Sequence, residues 1–244
     1  MFRHLGSKRN YLHNLRLAIL LCFTAGFVNA AGFLAFLVLT TNVTGHAALL
    51  AINFTERDYR SATVVALWLF LFLLGAFSSS LYINKVGRNK PYAYTLPLIV
   101  EIVILSLIAT AGHKYDGSLR NTEIFAGSLL FAMGMQNALV SMVSGSVVRT
   151  THLTGIFTDL GIDLSLVLLA NNKQQTDVRR RVLLRIMIIT FFLGGGIIGG
   201  LIFLNISYTA FFVPALVLVI AIFYDYFRLK WSKMLLYMRQ RAQR

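Results

Sequence analysis

Ala25-Gly26-Phe27-Val28-Asn29-Ala30, followed by Thr40-Thr41-Asn42-Val43-Thr44-Gly45-His46, has a second copy in Met133-Gly134-Met135-Gln136-Asn137-Ala138 and Thr150-Thr151-His152-Leu153-Thr154-Gly155-Ile156. Each copy holds a Gly-x-x-Asn-Ala element and then a Thr-Thr-x-x-Thr-Gly element. An internal repeat in a strongly apolar chain marks a membrane fold built from two halves, with the polar breaks placed around the functional site.

Composition supports the membrane reading. The chain has 244 residues, 57% of them hydrophobic and 13% charged, and a mean hydropathy of +0.70, whereas roughly a quarter of residues in soluble domains are charged. Six runs, 15–39, 61–84, 92–112, 123–147, 181–204 and 207–227, approach or exceed the roughly 20 residues that cross about 30 Å of hydrocarbon as helix. This leaves no room for a separate soluble domain. A basic start followed by an apolar run longer than a secretory h-region reads as an uncleaved first helix.

The net charge of +14 suggests nucleic acid at first sight, but the basic residues gather in short loops and at both ends, where the positive-inside rule places them. No fold remains to present a basic face to a duplex, so no nucleic-acid partner is expected. Cys22 is the only cysteine; it permits no internal disulfide, and no Cys/His metal cluster or cofactor motif is present.

Two short apolar segments, 45–54 and 155–170, each follow a Thr-Gly pair. Loop charge decides whether they cross. With a cytoplasmic N-terminus and six crossings, Lys85, Arg88, Lys90, Lys173, Arg179 and Arg180 fall inside, and the outer loops (Glu56, Arg57, Asp58, Arg60; Lys114, Asp116, Arg120, Glu123) are neutral. Eight crossings would put Lys85, Arg88 and Lys90 outside and ask about ten residues, some 15 Å of helix, to span the bilayer. The reading is therefore an all-α integral membrane fold with six transmembrane helices plus two re-entrant or short half-helices. They form two inverted-topology repeats of about 110 to 120 residues, repeat one over 15–112 and repeat two over 123–229, in a single membrane domain spanning 1–244. Leu74-Gly75-Ala76 aligns with Leu193-Gly194-Gly195, and Pro97 falls near Pro214.

The string Thr24 to Leu34, with Asn42-Val43-Thr44-Gly45, Gln136-Asn137-Ala138 and Thr151-His152-Leu153-Thr154-Gly155, resembles the YoaK-like family of bacterial membrane proteins. The resemblance covers most of the chain. It implies a multi-pass protein of the bacterial inner membrane and supplies no reaction or substrate. Members of that family often carry Asp at the place of Asn29 and Asn at the place of His46.

Thr44-Gly45 and Thr154-Gly155 open the half-helices, where a Thr can cap free N–H groups or those groups can meet an anionic or carbonyl ligand. Asn29 and Asn137, set in apolar runs, serve either the pathway or a helix-to-helix hydrogen bond. Asp159 and Asp163 share a helix face, and an intramembrane acid calls for a named partner; Arg149, His152 and His46 are the expected ones. Glu101 lies alone in the middle of its run. These residues, with Asn42, make up the candidate solute or ion pathway.

The glycines of 181–204 give small-x-x-x-small spacings, explained by close helix packing, of which homodimerisation is one form. The tail over 230–244 reads as a basic amphipathic segment on the anionic lipids of the inner leaflet, with both termini cytoplasmic. The leading function is a secondary transporter or channel for a small solute or ion, since no nucleotide-binding motif is present. The alternatives are a non-transporting accessory or assembly protein, which predicts a dry core, and an intramembrane enzyme, for which only the acid pair is available.

Overall fold

In hydrocarbon only a backbone that satisfies its own hydrogen bonds is stable, so long apolar runs must become helices. The computed structural model describes residues 11–88, 90–169 and 175–224, and all regular structure among them is helical. The helices are α1 (Tyr11–Phe36), α2 (Val43–Thr55), α3 (Tyr59–Val86), α4 (Thr95–Ala111), α5 (Leu119–Ser144), α6 (Leu153–Leu169) and α7 (Gln175–Ile206), with α8 over 212–224. Five helical runs are long and apolar enough to cross a membrane, and the fifth, Thr176–Tyr224, extends over 49 residues because it contains both α7 and α8. The chain is a multi-pass membrane protein. The basic tail over 230–244, Lys173, and residues 1–10 lie outside the described residues.

The helix boundaries have local causes. α1 stops at Phe36, where Leu37 takes a left-handed φ of 58°. α2 starts at Val43, two residues before the expected Gly45, because Asn42 caps it. α7 starts at Gln175, ahead of the expected 181, with Asp177 in its first turn complementing the positive helix end. Ser207, at φ 52°, breaks α7 from α8 through a 3-10 turn over Ser207–Phe211. Pro97 and Pro214 both stand in the first turn of their helices, where a missing N–H costs nothing. In the loops, Asp58 caps α3 through the Ser61 N–H, and the Ser61 side chain together with that N–H holds its carboxyl below the usual carboxylate range. Asp116 is held down to about 2 by hydrogen bonds from Ser118 and Asn121 at the start of α5.

α1 and α5 are central, with 61% of each span buried against 22% for α3. Gln136 joins them, its Nε2 donating to the Leu21 carbonyl at 2.7 Å. The outer sides of α3 and α7 expose Phe70, Leu73, Phe77, Ile197 and Leu201, a face suited to lipid.

Packing follows a reciprocal plan: the most extensive contacts are α1 on α7 and α3 on α5, then α2 on α3 and α6 on α7. Both main crossings are made by Phe-x-x-Gly. A Cβ at Gly26 would collide with the Phe192 carbonyl and one at Gly195 with the Phe23 carbonyl; likewise Gly75 meets the Phe131 carbonyl and Gly134 the Phe72 carbonyl. Only glycine lets the backbones approach so closely. This corrects the register of the repeat: Gly75 corresponds to Gly195, not Gly194, whose Cβ position is open. Gly195 and Gly199 are therefore taken up by α1 of the same chain.

Candidate functional site

After α1 the chain doubles back along it. The Thr41 N–H donates to Asn29 Oδ1 at 3.1 Å, a point about two turns, roughly 10 Å of helix, before the end of α1. Asn29 thus anchors the returning segment, and α2 begins alongside α1 instead of beyond its end.

At the start of α2, Asn42 Oδ1 accepts from the Gly45 N–H at 3.0 Å, and the Asn42 carbonyl accepts from the His46 N–H. At the start of α6 the His152 carbonyl likewise accepts from the Ile156 N–H. The glycine three residues on leaves room for the cap in both cases: a Cβ at Gly45 would displace the Asn42 side chain and one at Gly155 the His152 ring. The side chains folding over these helix starts are therefore Asn42 and His152; Thr44 and Thr154 are the second residues of their helices.

The two helix starts face one cavity of about 690 Å³, lined by matched residues of the two copies: Asn29 and Asn137, Thr41 and Thr151, Asn42 and His152, Val43 and Leu153, Thr44 and Thr154, Phe72 and Phe192. Leu39 is matched by Arg149, and Ser141 and Ser146 complete the lining. Seven of the expected pathway residues (Asn29, Asn42, Thr44, Asn137, Arg149, His152, Thr154) thus come together, with Gly45 and Gly155 shaping the first turns behind them.

The copies are not equal. The second connection, 145–152, is two residues longer than the first, 37–42, and turns on Ser144, whose hydroxyl donates to the Val148 carbonyl and accepts the Val148 N–H. Asn137 makes no side-chain hydrogen bond among the described residues, although its Oδ1 is buried. Thr40 and Thr150, fully buried just behind the cavity wall in sequence, both keep an unpartnered hydroxyl.

Four expected residues lie elsewhere. His46 is buried against Trp68 of α3, ring centroids 5.5 Å apart. Glu101 is fully buried on α4 with neither oxygen hydrogen-bonded, at the place where α8 has the buried Leu218. Asp159 and Asp163 are not joined by Arg149, His152 or His46. Their partners are Arg181 and Arg185 of α7: Arg181 donates to Asp163 at 3.1 to 3.3 Å. Arg185 bonds Asp163 Oδ2, reaches Asp159 Oδ2 at 3.4 Å, and donates to the Asp159 carbonyl at 2.6 Å. Arg185 is the cation between the two acids, and the cluster ties α6 to α7. The i,i+4 spacing of Arg181 and Arg185 matches that of the acids, a signal available in the sequence.

Charge in the cavity is consequently positive. Arg149 is its charged lining residue, and no ion pair or hydrogen bond among the described residues reaches the Arg149 side chain. The starts of α2 and α6 add partial positive charge.

The chain is similar to the UPF0700 transmembrane protein YoaK of Bacillus subtilis (strain 168), 27% identical over 181 residues that cover 73% of this chain and 80% of that protein. No solved structure matches. Residues 17–224 match the family described as "Protein of unknown function (DUF1275)", and the chain belongs to that family.

Proposed function

We propose that the protein is a secondary transporter or channel for a small solute, with its site in the cavity where α2 and α6 begin. The observation that carries this reading is the matched lining: the repeated motifs converge on one polar cavity. Its volume of about 690 Å³ falls within the roughly 300–1,000 Å³ usual for ligand sites. Irregular backbone at membrane depth is tolerated where it lines a watery space, and the segments 37–42 and 145–152 are such backbone.

The inverted arrangement of the halves is part of the proposal. Exchanging α1 with α5 and α3 with α7 turns the α1–α7 crossing into the α5–α3 crossing, glycine for glycine, as a two-fold axis in the membrane plane would. Six crossings follow if α7 and α8 each span: α7 has 32 residues, roughly 48 Å of helix, and the 3-10 turn over Ser207–Phe211 together with α8 rises roughly 30 Å, one bilayer core. Loop charge then sets both termini in the cytoplasm, and similarity to a Bacillus protein favours a bacterial plasma membrane. The basic tail resting on anionic lipid, and a homodimer through the glycine-rich helix 181–204, remain proposals of the same kind.

The test is thiol accessibility in a Cys22→Ser background. Thr44→Cys should react with a membrane-impermeant thiol reagent from the outer face and Thr154→Cys from the cytoplasmic face. Failure of both to react from either side would mean a dry core and an accessory role.

A further inference from the structure

We propose that the cavity selects a small organic anion, whose carboxylate or phosphate oxygens meet Arg149 and the start of α6 while its body lies beside Phe72 and Phe192. This rests on the reading of the cavity as a solute site and names the class of solute.

Four observations converge on it. First, the lining contains a cation and no carboxylate. Arg149 stands where the first copy has Leu39, so the charge is an addition to the symmetric plan. Among the described residues no counter-ion reaches this guanidinium, and its fork of donors suits two oxygens of one group. Second, the acids that sequence alone would give to a cation are absent from the lining. Asp159 and Asp163 are neutralised by Arg181 and Arg185, and Glu101 is buried on α4.

Third, donors without partners face the space. Among the described residues the hydroxyls of Thr44, Thr151 and Thr154 and the side-chain amide of Asn137 make no hydrogen bond, whereas Asn29, the counterpart of Asn137, is bonded to Thr41. The longer second connection has left Asn137 available. Fourth, the first residues of two helices, Val43 and Thr44 of α2 and Leu153 and Thr154 of α6, line the same volume, and that dipole end favours anions. A helix start alone would be an ordinary capped end; here Arg149 and Asn137, both without a side-chain partner among the described residues, stand beside it. Phe72, Phe192, Leu39, Val43 and Leu153 supply apolar wall, which an inorganic ion would not use and an organic body would.

The experiment measures the reaction of Thr154→Cys, in Cys22→Ser protein reconstituted in liposomes, with methanethiosulfonate reagents bearing a sulfonate or a quaternary ammonium. Each rate is divided by that of glutathione with the same reagent. The sulfonate should gain at least tenfold over the ammonium, and Arg149→Gln should remove most of that gain. Benzoate should slow the labelling several-fold, whereas benzamide and tetraethylammonium at equal ionic strength should not. Protection by inorganic phosphate as strong as by benzoate would overturn the organic part of the proposal. An ammonium preference, or no difference between wild type and Arg149→Gln, would overturn the anion assignment while leaving the solute site intact. No labelling by either reagent would instead remove the solute site itself.

Discussion

A Cβ added at Gly195 would run into the Phe23 carbonyl, while one at Gly194 would meet nothing within 4 Å. The two residues are neighbours in sequence, so the contrast isolates a backbone contact from the general effect of removing a glycine. In the open position alanine lowers the cost of ordering the helix, by about 0.5–1 kcal/mol. In the crossing it must push α1 away from α7, with a penalty of about 1–3 kcal/mol. Gly194→Ala should therefore raise the thermal midpoint of the purified protein in detergent and Gly195→Ala lower it. Equal shifts of the same sign would contradict the crossing. Sequence reading found the glycines and their small-x-x-x-small spacing but missed Phe-x-x-Gly, because the partner of each glycine is a carbonyl, and a carbonyl has no residue type to recognise. The one-residue error in aligning Gly75 had the same origin.

The half-helices were legible as elements: a Thr-Gly pair, a short apolar run and a loop too polar to cross announce α2 and α6, and the copies reinforce each other. Their partners were less so. Periodicity places Asp159 and Asp163 on one face of α6, but nothing local says that α7 lies against that face, and the pairing with Arg181 and Arg185 is a fact of helix packing. That pairing is also asymmetric, since the places of the two acids on α2 are held by Leu49 and Asn53. α2 rests on α3 through His46 and Trp68 instead. Asp163 is 4% exposed and Arg185 18%, so removing the acid leaves a largely desolvated Arg185 with Asp159 as its remaining counter-ion. Asp163→Ala should cost about 1–3 kcal/mol, whereas replacing Asp163 and Arg185 together with leucine should recover much of the loss. Denaturation of the single and double variants checks this. A double variant no more stable than Asp163→Ala would show that the pair acts by more than charge balance.

At the scale of the molecule, the central question is which loops share a side of the membrane. The proposed opposition of the two halves requires an odd number of crossings per half. That in turn requires α2 to enter and leave by the same face. α2 has 13 residues, about 20 Å of helix, which falls short of a bilayer core of about 30 Å. The hydrogen bond from Thr41 to Asn29 starts it well below the end of α1. The loop after α3 should then be cytoplasmic and the loop after α4 external. With Cys22→Ser as background, Lys114→Cys should react with an impermeant maleimide in intact cells and Lys90→Cys only after permeabilisation. If α2 and α6 crossed, both positions would exchange sides: Lys90→Cys would label in intact cells and Lys114→Cys would not. Each loop position thus reads the topology by itself, and agreement between them excludes local misfolding of one variant as the cause. A cytoplasmic Lys90 also puts the start of α6 on the inner side of the cavity and the start of α2 on the outer side. The cation at Arg149, next to the start of α6, would then be the charge within the cavity that a solute entering from the cytoplasm meets.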